Sequence, residues 1–182
     1  KSTKESTARS LAAALGNGGT KEAQKALADA LRSADVTPGA KAESAVSLGL
    51  AAKPTAEAKS ALTEAMGSKD ADVAQTSMLA LGNLAKAAAD SDGQGEAKAD
   101  DVVPMLLAKL EAAHTGAEKA AVLDALGNAG DVRALEAILA HASSSETVVR
   151  AAAVGALRFI QDERATKALA ASMFDAVPQV RL

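Results

Sequence analysis

The sequence predicts an all-α fold in which about five two-helix repeats stack into a right-handed α-α superhelix, or solenoid. Alanine makes up about a quarter of the 182 residues, whereas aromatic residues make up only 1%. Alanine is the best intrinsic helix former, and its small side chain lets neighbouring helices approach closely. Apolar residues also recur at the spacing of an amphipathic helix, and one short phrase recurs along the chain.

The recurring phrase is an alanine-rich helix that leads into a leucine. It reads Leu-Gly-Asn in three copies, and two degenerate copies read Leu-Gly-Leu and Leu-Arg-Phe. We call these leucines the anchor leucines; they are Leu15, Leu48, Leu81, Leu126 and Leu157. They are separated by 33, 33, 45 and 31 residues, and a repeat of this length holds two short helices with their turns. Because Gly and Asn tolerate left-handed backbone, we expect the Gly-Asn pair to end each first helix.

Turn residues and apolar spacing place the helices in order. The glycine-rich run 16–19 separates the first pair, Pro54 precedes the second helix of pair two, and Pro104 lies near the start of the second helix of pair three. In pair four, apolar residues outline one face on each side of the turn 127–130. The first helices are predicted at residues 5–15, 40–51, 73–86, 117–127 and 147–160, and their partners at residues 21–32, 56–66, 102–113, 133–142 and 164–174.

The run from Val149 to Leu157 resembles HEAT-type repeats, especially the short variety of phycobilisome-lyase-like proteins, in which a Val-Arg-x-x-Ala helix follows a short turn. This resemblance covers the whole chain but is fainter before Asp70. It implies that the Val-Arg helix of each pair lines the concave face. The runs 125–130 and 149–158 are also similar to the helical region of vitellogenin-type large lipid-transfer proteins, a similarity that covers about the last third of the chain.

A basic slot lies seven residues before the anchor leucines. It holds Lys41, Lys119 and Arg150 in three of the five copies, and Arg181 would be the next member. One interpretation is a basic ladder for an acidic partner. The other is structural, because the HEAT resemblance implies that Arg150 and Arg181 bond to neighbouring turns.

The third repeat is longer than the others because of an acidic, glycine-containing insertion at residues 88–101. Counted as a calcium-binding loop, Asp90 and Asp92 take positions 1 and 3, Gln94 position 5 and Asp101 position 12. Position 5 lacks a carboxylate, and Asp at position 12 reaches less far than Glu. A solvated acidic loop and a partner-contacting loop are the alternatives, so calcium is the single cofactor that the sequence suggests.

Composition excludes several classes of function. The net charge of −3 gives no overall electrostatic footprint for nucleic acid, and the absence of cysteine excludes disulfides and thiolate metal sites. No apolar run approaches the roughly 20 residues that span a bilayer. His114 and His141 are the two histidines, and neither has the spacing of a zinc site or a catalytic triad. We therefore predict no catalytic residue and no enzyme.

The leading hypothesis is a non-enzymatic scaffold that binds a protein partner on the curved surface of a helical repeat array. The alternative is a helical module of a lipid-transfer or membrane-associated protein, and a third is an enzyme resembling the HEAT-like chromophore lyases. We expect residues 1–182 to form one solenoid domain that is a piece of a longer protein. We also expect self-association through exposed apolar faces at the ends of the solenoid.

Overall fold

Ten α-helices and a short 3₁₀ turn make up the part of the chain that the computed structural model describes, residues 2–91 and 96–181. The anchor leucines lie on the leucine-anchored helices, and each of these is followed by its partner helix. The leucine-anchored helices are α1 (Ser2–Gly18), α3 (Pro38–Gly49), α5 (Ala71–Asp90), α7 (Gly116–Ala129) and α9 (Thr147–Leu157). The partner helices are α2 (Lys21–Arg32), α4 (Ala56–Ala65), α6 (Val102–Glu111), α8 (Leu135–His141) and α10 (Glu163–Ser172). These helices confirm the predicted all-α fold of two-helix repeats.

The chain divides into two compact units, Lys1–Ala99 and Asp100–Leu182. In unit 1 the leucine-anchored helices α1, α3 and α5 pack side by side, and α2 and α4 pack against them. In unit 2, α7 packs beside α9, and the partner helices α6, α8 and α10 lie against this pair. The division falls inside the predicted insertion 88–101, and the first three residues of that insertion belong to the last turn of α5.

Short polar side chains cap the N-terminal ends of most of these helices. In each case a Thr or Asp oxygen just before the helix accepts a hydrogen bond from a backbone N–H of the first turn, which would otherwise lack a partner. At α7 the cap is reciprocal, because the Glu118 carboxylate also accepts the backbone N–H of Thr115. The capping residues are Thr20, Thr37, Thr55, Asp70, Thr115, Asp131 and Asp162.

The core consists of leucines on the facing sides of the helices. Four of the five anchor leucines are fully buried, and Leu15 on α1 is half-buried. Burying one such side chain stabilises the fold by roughly 1.5–3 kcal/mol relative to leaving it in water. Within residues 2–91 and 96–181, none of the helices combines the length and the apolar character that crossing a membrane requires.

The Leu-Gly-Asn phrase does not end the helices, which corrects the expectation drawn from the sequence. Gly16, Gly82 and Gly127 all lie inside helices, and α5 continues to Asp90. The left-handed residue that ends α7 is instead Gly130, at φ 62°.

Glycine follows the anchor leucine because the next leucine-anchored helix passes too close for a side chain. A Cβ built on Gly16 would lie 2.6 Å from the Cβ of Ser47 on α3. A Cβ on Gly49 would lie 2.7 Å from the Cα of Ala80, and one on Gly127 would lie 2.7 Å from the Cα of Ala156. The contacted residue always stands directly before the next anchor leucine and is always small. These three close approaches, which we call the glycine contacts, set the packing between repeats within each unit.

Candidate functional site

Two adjoining depressions in unit 1, of about 200 and 190 Å³, lie at the N-terminal ends of α2 and α4. Both are lined by Lys21, Thr55 and Glu96, and Lys21 forms an ion pair with Glu96 across their mouth. The backbone N–H of Ala97 donates to the carbonyl oxygen of Pro54 over 3.0 Å, which holds the returning chain against this end of the unit. The depressions are therefore already bridged by the chain itself.

A buried glutamine forms the floor of this region. The Gln24 side chain is 2% exposed, and its amide nitrogen donates to the carbonyl oxygens of Gly19 and Lys53 over 3.2 and 3.0 Å. Its amide oxygen accepts the backbone N–H of Thr55 over 2.9 Å. Because all three partners are backbone groups in turns, Gln24 ties the α1–α2 turn to the α3–α4 turn.

The exposed side of α2 and α4 carries a network of ion pairs. Arg32 donates to both oxygens of Glu64 over 2.8 and 2.9 Å and lies 3.6 Å from Glu57. Lys25 lies 3.0 Å from Asp29 and 3.9 Å from Glu57. The hydrogen bonds from Arg32 lower the pKa of Glu64 to about 2. Charges of opposite sign thus form ion pairs on this side of unit 1. A surface of such pairs favours contact with water.

The opposite side of unit 1 exposes apolar side chains. Val46 on α3 is 41% exposed, and Leu50, the residue that directly follows α3, is 71% exposed. The residues at the same repeat position as Val46 are Ala13 on α1 and Leu79 on α5, and both are half-buried. We call these four residues the apolar line. In unit 2 the same position holds Asp124 and Gly155, so the apolar line belongs to unit 1.

In unit 2, Arg150 binds a neighbouring turn. Its guanidinium donates to both carboxylate oxygens of Asp175 over 2.8 and 3.2 Å and to the carbonyl oxygen of Ser144 over 2.6 Å. Arg181 donates to the backbone carbonyl of the same Asp175 over 2.9 Å. Bidentate pairing of this kind fixes the turn after α10 against the start of α9.

Two Asp-x-Arg turns also recur in unit 2, at the starts of the 3₁₀ turn and of α10. In the second of them, Asp162 accepts both the backbone N–H of Arg164 and its guanidinium. The side-chain hydrogen bond from Arg164, followed by the backbone one, lowers the pKa of Asp162 to about 2. The first turn, Asp131-Val132-Arg133, has the same bonds.

We expect Asp162 to remain ionised down to about pH 2, and Arg164→Gln to raise its pKa towards the ordinary value of about 3.9. Since the pKa is lower in the folded chain, the carboxylate stabilises the fold above pH ~4, and this contribution is lost as the pH falls towards 2. NMR titration of the side-chain carboxyl carbon measures both values. Arg158→Gln, at an exposed arginine, is the matched control and leaves the titration unchanged. A midpoint near 4 in the unaltered protein contradicts the prediction.

The predicted calcium ligands are only partly described. Asp90 lies at the end of α5 and pairs with Lys86 over 3.1 Å, and Asp101 immediately precedes α6. Asp92 and Gln94 lie outside the described residues. Within the described ranges, no group of three or more His, Asp or Glu side chains is placed to hold a metal ion. Calcium binding by this loop stays a prediction.

The two histidines lie on different elements. The His141 ring Nδ1 is 2.8 Å from the carbonyl oxygen of Ala137, one turn back on α8. The His114 backbone N–H donates to Glu118 over 2.9 Å, as part of the cap of α7. Both contacts are local to a helix end.

Comparison with known proteins agrees with the repeat architecture. The family model described as the vitellogenin TPR domain matches residues 1–174. No curated protein matches the chain. Among solved structures, human deoxyhypusine hydroxylase in complex with glycerol is similar at 24% identity with a TM-score of 0.43, over 97% of this chain and 65% of that one. The chain therefore spans about two thirds of the length of that structure.

This likeness corrects two expectations from the sequence. We expected a non-enzymatic protein-interaction scaffold and no enzyme, but the similar structure is that of an enzyme, a hydroxylase. The inference from a helical repeat fold to a plain scaffold was therefore wrong, because fold does not fix function. At this identity and TM-score the likeness concerns the fold alone.

The expected resemblance to vitellogenin-type proteins covered only the last third of the chain, whereas the family model extends over nearly all of it. The chain belongs to the vitellogenin TPR domain family.

Proposed function

We propose that this chain is the helical-repeat module of a vitellogenin-type lipid-transfer protein, and that the apolar line on unit 1 contacts lipid. The observation that carries the proposal is the pair Val46 and Leu50, two exposed apolar side chains at the C-terminal end of α3 in a member of this family. The backbone N–H of Leu50 donates to the carbonyl oxygen of Val46 over 3.1 Å, which places Leu50 one turn beyond Val46.

The distribution of charge in unit 1 supports this orientation. The exposed side of α2 and α4 is covered by ion pairs that centre on Arg32 and Lys25. Such pairs are well hydrated, and withdrawing them from water costs desolvation free energy. Ala13, Val46, Leu50 and Leu79 carry no charge. The side of unit 1 that these residues form therefore loses the least hydration free energy on contact with an apolar phase.

The size of the apolar line determines how strongly it is expected to bind a lipid surface. Full burial of a Val or Leu side chain is worth roughly 1.5–3 kcal/mol, and Val46 and Leu50 are in part buried already. Two such residues give reversible binding to a lipid surface. This strength suits transfer, in which lipid must be released as well as bound.

The proposal predicts that the chain floats with vesicles of phosphatidylcholine, and that Leu50→Lys lowers the bound fraction by about tenfold, because a charge replaces an exposed apolar anchor. These vesicles are electrically neutral, so the added lysine gains no attraction to the surface. Flotation through a density gradient measures the bound fraction.

Leu11→Lys is the matched control, since Leu11 is a similarly exposed leucine that lies on α1 outside the apolar line. Circular dichroism verifies that both variants keep their helices. Equal flotation of Leu50→Lys and the unaltered protein, or no flotation of either, contradicts the proposal.

A further inference from the structure

Phe159, in unit 2, is an exposed aromatic side chain at the repeat position of Leu50. Both residues stand two places after an anchor leucine, and the other three repeats have asparagine at this position. Phe159 is 52% exposed and Leu50 is 71% exposed. The backbone N–H of Phe159 donates to the carbonyl oxygen of Ala156 over 3.2 Å, so the chain continues in a helical turn beyond α9. Both units therefore present a large apolar side chain at the same place in the repeat.

Four uncharged residues, the last of which is Phe159, follow one side of α9. Val148, Ala152, Gly155 and Phe159 are spaced by four, three and four residues. Because each helical residue turns by about 100°, these four lie about 160–220° around from the anchor Leu157, which is fully buried. The side that they form is therefore opposite the core. We call these four residues the α9 stripe.

The neighbouring repeats do not cover this side of a leucine-anchored helix. The glycine contacts are made by the residues directly before and directly after the anchor leucine, which lie about 100° to either side of it. On one side of α3 lies α1 and on the other lies α5, yet Val46 and Leu50 are exposed. The exposure of Val148 and Phe159 thus follows from their place in the repeat and not from what lies beside α9.

The α9 stripe is apolar and has low relief in its middle. Val148 is 51% exposed, whereas Ala152 and Gly155 are half-buried and too small to project. A folded protein partner needs a surface of matching shape, whereas fluid acyl chains fill a shallow hollow of any shape. Val148 and Phe159 are roughly 16 Å apart along the helix, a distance that an extended surface covers more readily than a small ligand.

The leucine-anchored helices of unit 2, which the structure describes throughout, carry one charged residue on this side. The corresponding residues of α7 are Ala117, Ala121, Asp124 and Asn128. The surrounding protein withdraws water from Asp124, which raises the pKa of its carboxyl group. Because this carboxylate is already poorly hydrated, an apolar phase that approaches it removes less hydration free energy.

We propose that the α9 stripe is a second lipid-contacting surface, by which α9 lies along the surface of a phospholipid membrane with Phe159 among the acyl chains. The inference rests on the proposed function, because it assigns to unit 2 the lipid contact proposed for the apolar line of unit 1. Helices that bind at a membrane interface lie in its plane with the apolar face turned to the lipid. Phenylalanine has a large apolar surface and no polar group, so it gains more from this contact than the asparagine of the other repeats.

Flotation with phosphatidylcholine vesicles tests this assignment. Phe159→Lys should lower the bound fraction by about tenfold, because a charge replaces the largest apolar side chain of the stripe. Phe174→Lys is the matched control, since Phe174 is the other phenylalanine of the chain and is 88% exposed, but lies in the turn after the partner helix α10. A general attraction of exposed aromatic side chains to lipid would make the two substitutions equally damaging. Circular dichroism verifies that both variants keep their helices.

Comparison with Leu50→Lys separates this proposal from the proposed function. If Leu50→Lys lowers flotation and Phe159→Lys does not, the α9 stripe is not a lipid contact, although the apolar line stands. If Phe159→Lys lowers flotation and Leu50→Lys does not, the stripe stands and the apolar line is wrong. No flotation of the unaltered chain, or equal losses with Phe159→Lys and Phe174→Lys, overturns the α9 stripe.

Single tryptophan probes test the orientation of α9, because the chain has no tryptophan of its own. With vesicles that contain brominated phosphatidylcholine, we expect quenched emission for Phe159→Trp and Val148→Trp and unchanged emission for Phe174→Trp. Quenching of Phe159→Trp without Val148→Trp would overturn the orientation in which α9 lies along the surface. Quenching at neither position, or at Phe174→Trp alone, would overturn the contact itself.

Discussion

Gly127→Ala should lower the free energy of unfolding by about 2 kcal/mol, the reverse of what the same change does in an unconstrained helix. Glycine inside a helix is normally replaced by alanine with a gain of up to about 1 kcal/mol. At Gly127 the added Cβ would lie 2.7 Å from the Cα of Ala156 and 2.9 Å from its Cβ. A backbone atom cannot move aside as a flexible side chain can, so α7 and α9 must separate and lose packing along their length.

Urea denaturation followed by circular dichroism measures the effect, because the chain has no tryptophan to serve as a fluorescent reporter. Gly18→Ala is the matched control. It changes a glycine in the last turn of α1 where a Cβ would meet nothing within 4 Å, and it should leave stability unchanged or slightly raised. Equal stability of the two variants would show that the glycine contacts do not limit the packing of the repeats.

Gln24→Met should cost about 3 kcal/mol, although methionine has a similar shape and is more apolar. The substitution leaves the buried backbone N–H of Thr55 and the part-buried carbonyl oxygens of Gly19 and Lys53 without their partner. Each unsatisfied buried group costs about 1–3 kcal/mol, partly offset by the greater apolar burial of methionine.

Gln75→Met is the control for the chemistry of the change, since Gln75 is exposed on α5. Surface substitutions of this kind alter stability by less than about 0.5 kcal/mol. Hydrogen exchange adds a local measurement, because the amide of Thr55 donates to Gln24 and should lose its protection. If Gln24→Met keeps full stability and the Thr55 amide stays protected, Gln24 does not tie the two turns together.

The helices could be predicted from the sequence because their signals are local. Apolar spacing and the turn residues placed all ten, and the largest differences are at ends such as that of α5, which runs on to Asp90. The predicted helix 73–86 already ran past Leu81-Gly82-Asn83, although the phrase itself was interpreted as a helix end. The error was to give glycine its conformational role where its role is steric.

The glycine contacts and the Gln24 clamp depend on residues about one repeat apart, so no local pattern reveals them. Gln24 reaches Lys53 and Thr55, 29 and 31 residues away, and nothing in its neighbourhood marks it as buried. The ion pairs between partner helices leave a weak signal in the sequence. Arg32 and Glu64 are 32 residues apart, which is close to the repeat length. The structural role of Arg150 could be predicted from its position in the repeat, although the sequence did not identify Asp175 as its partner.

The function could be predicted less well than the fold, because a helical repeat array serves many functions. Absence of a catalytic spacing around His114 and His141 led to the prediction of a scaffold and no enzyme, whereas the similar solved structure is that of a hydroxylase. The alternative, a lipid-transfer module, gains support from the family match over residues 1–174. What the sequence could not reveal is that Val46 and Leu50 are exposed, since apolar residues at helical spacing normally point to a core.

Lipid contact by the apolar line is measured most directly with a single tryptophan as a probe, because the chain has none of its own. Leu50→Trp places the probe on the apolar line, and Glu22→Trp places it at an exposed position on the charged side of α2. With vesicles that contain brominated phosphatidylcholine, we predict a blue-shifted and quenched emission for Leu50→Trp and an unchanged emission for Glu22→Trp. Equal quenching of both probes, or quenching of the Glu22→Trp probe alone, would contradict the assignment of the apolar line as the lipid-contacting surface.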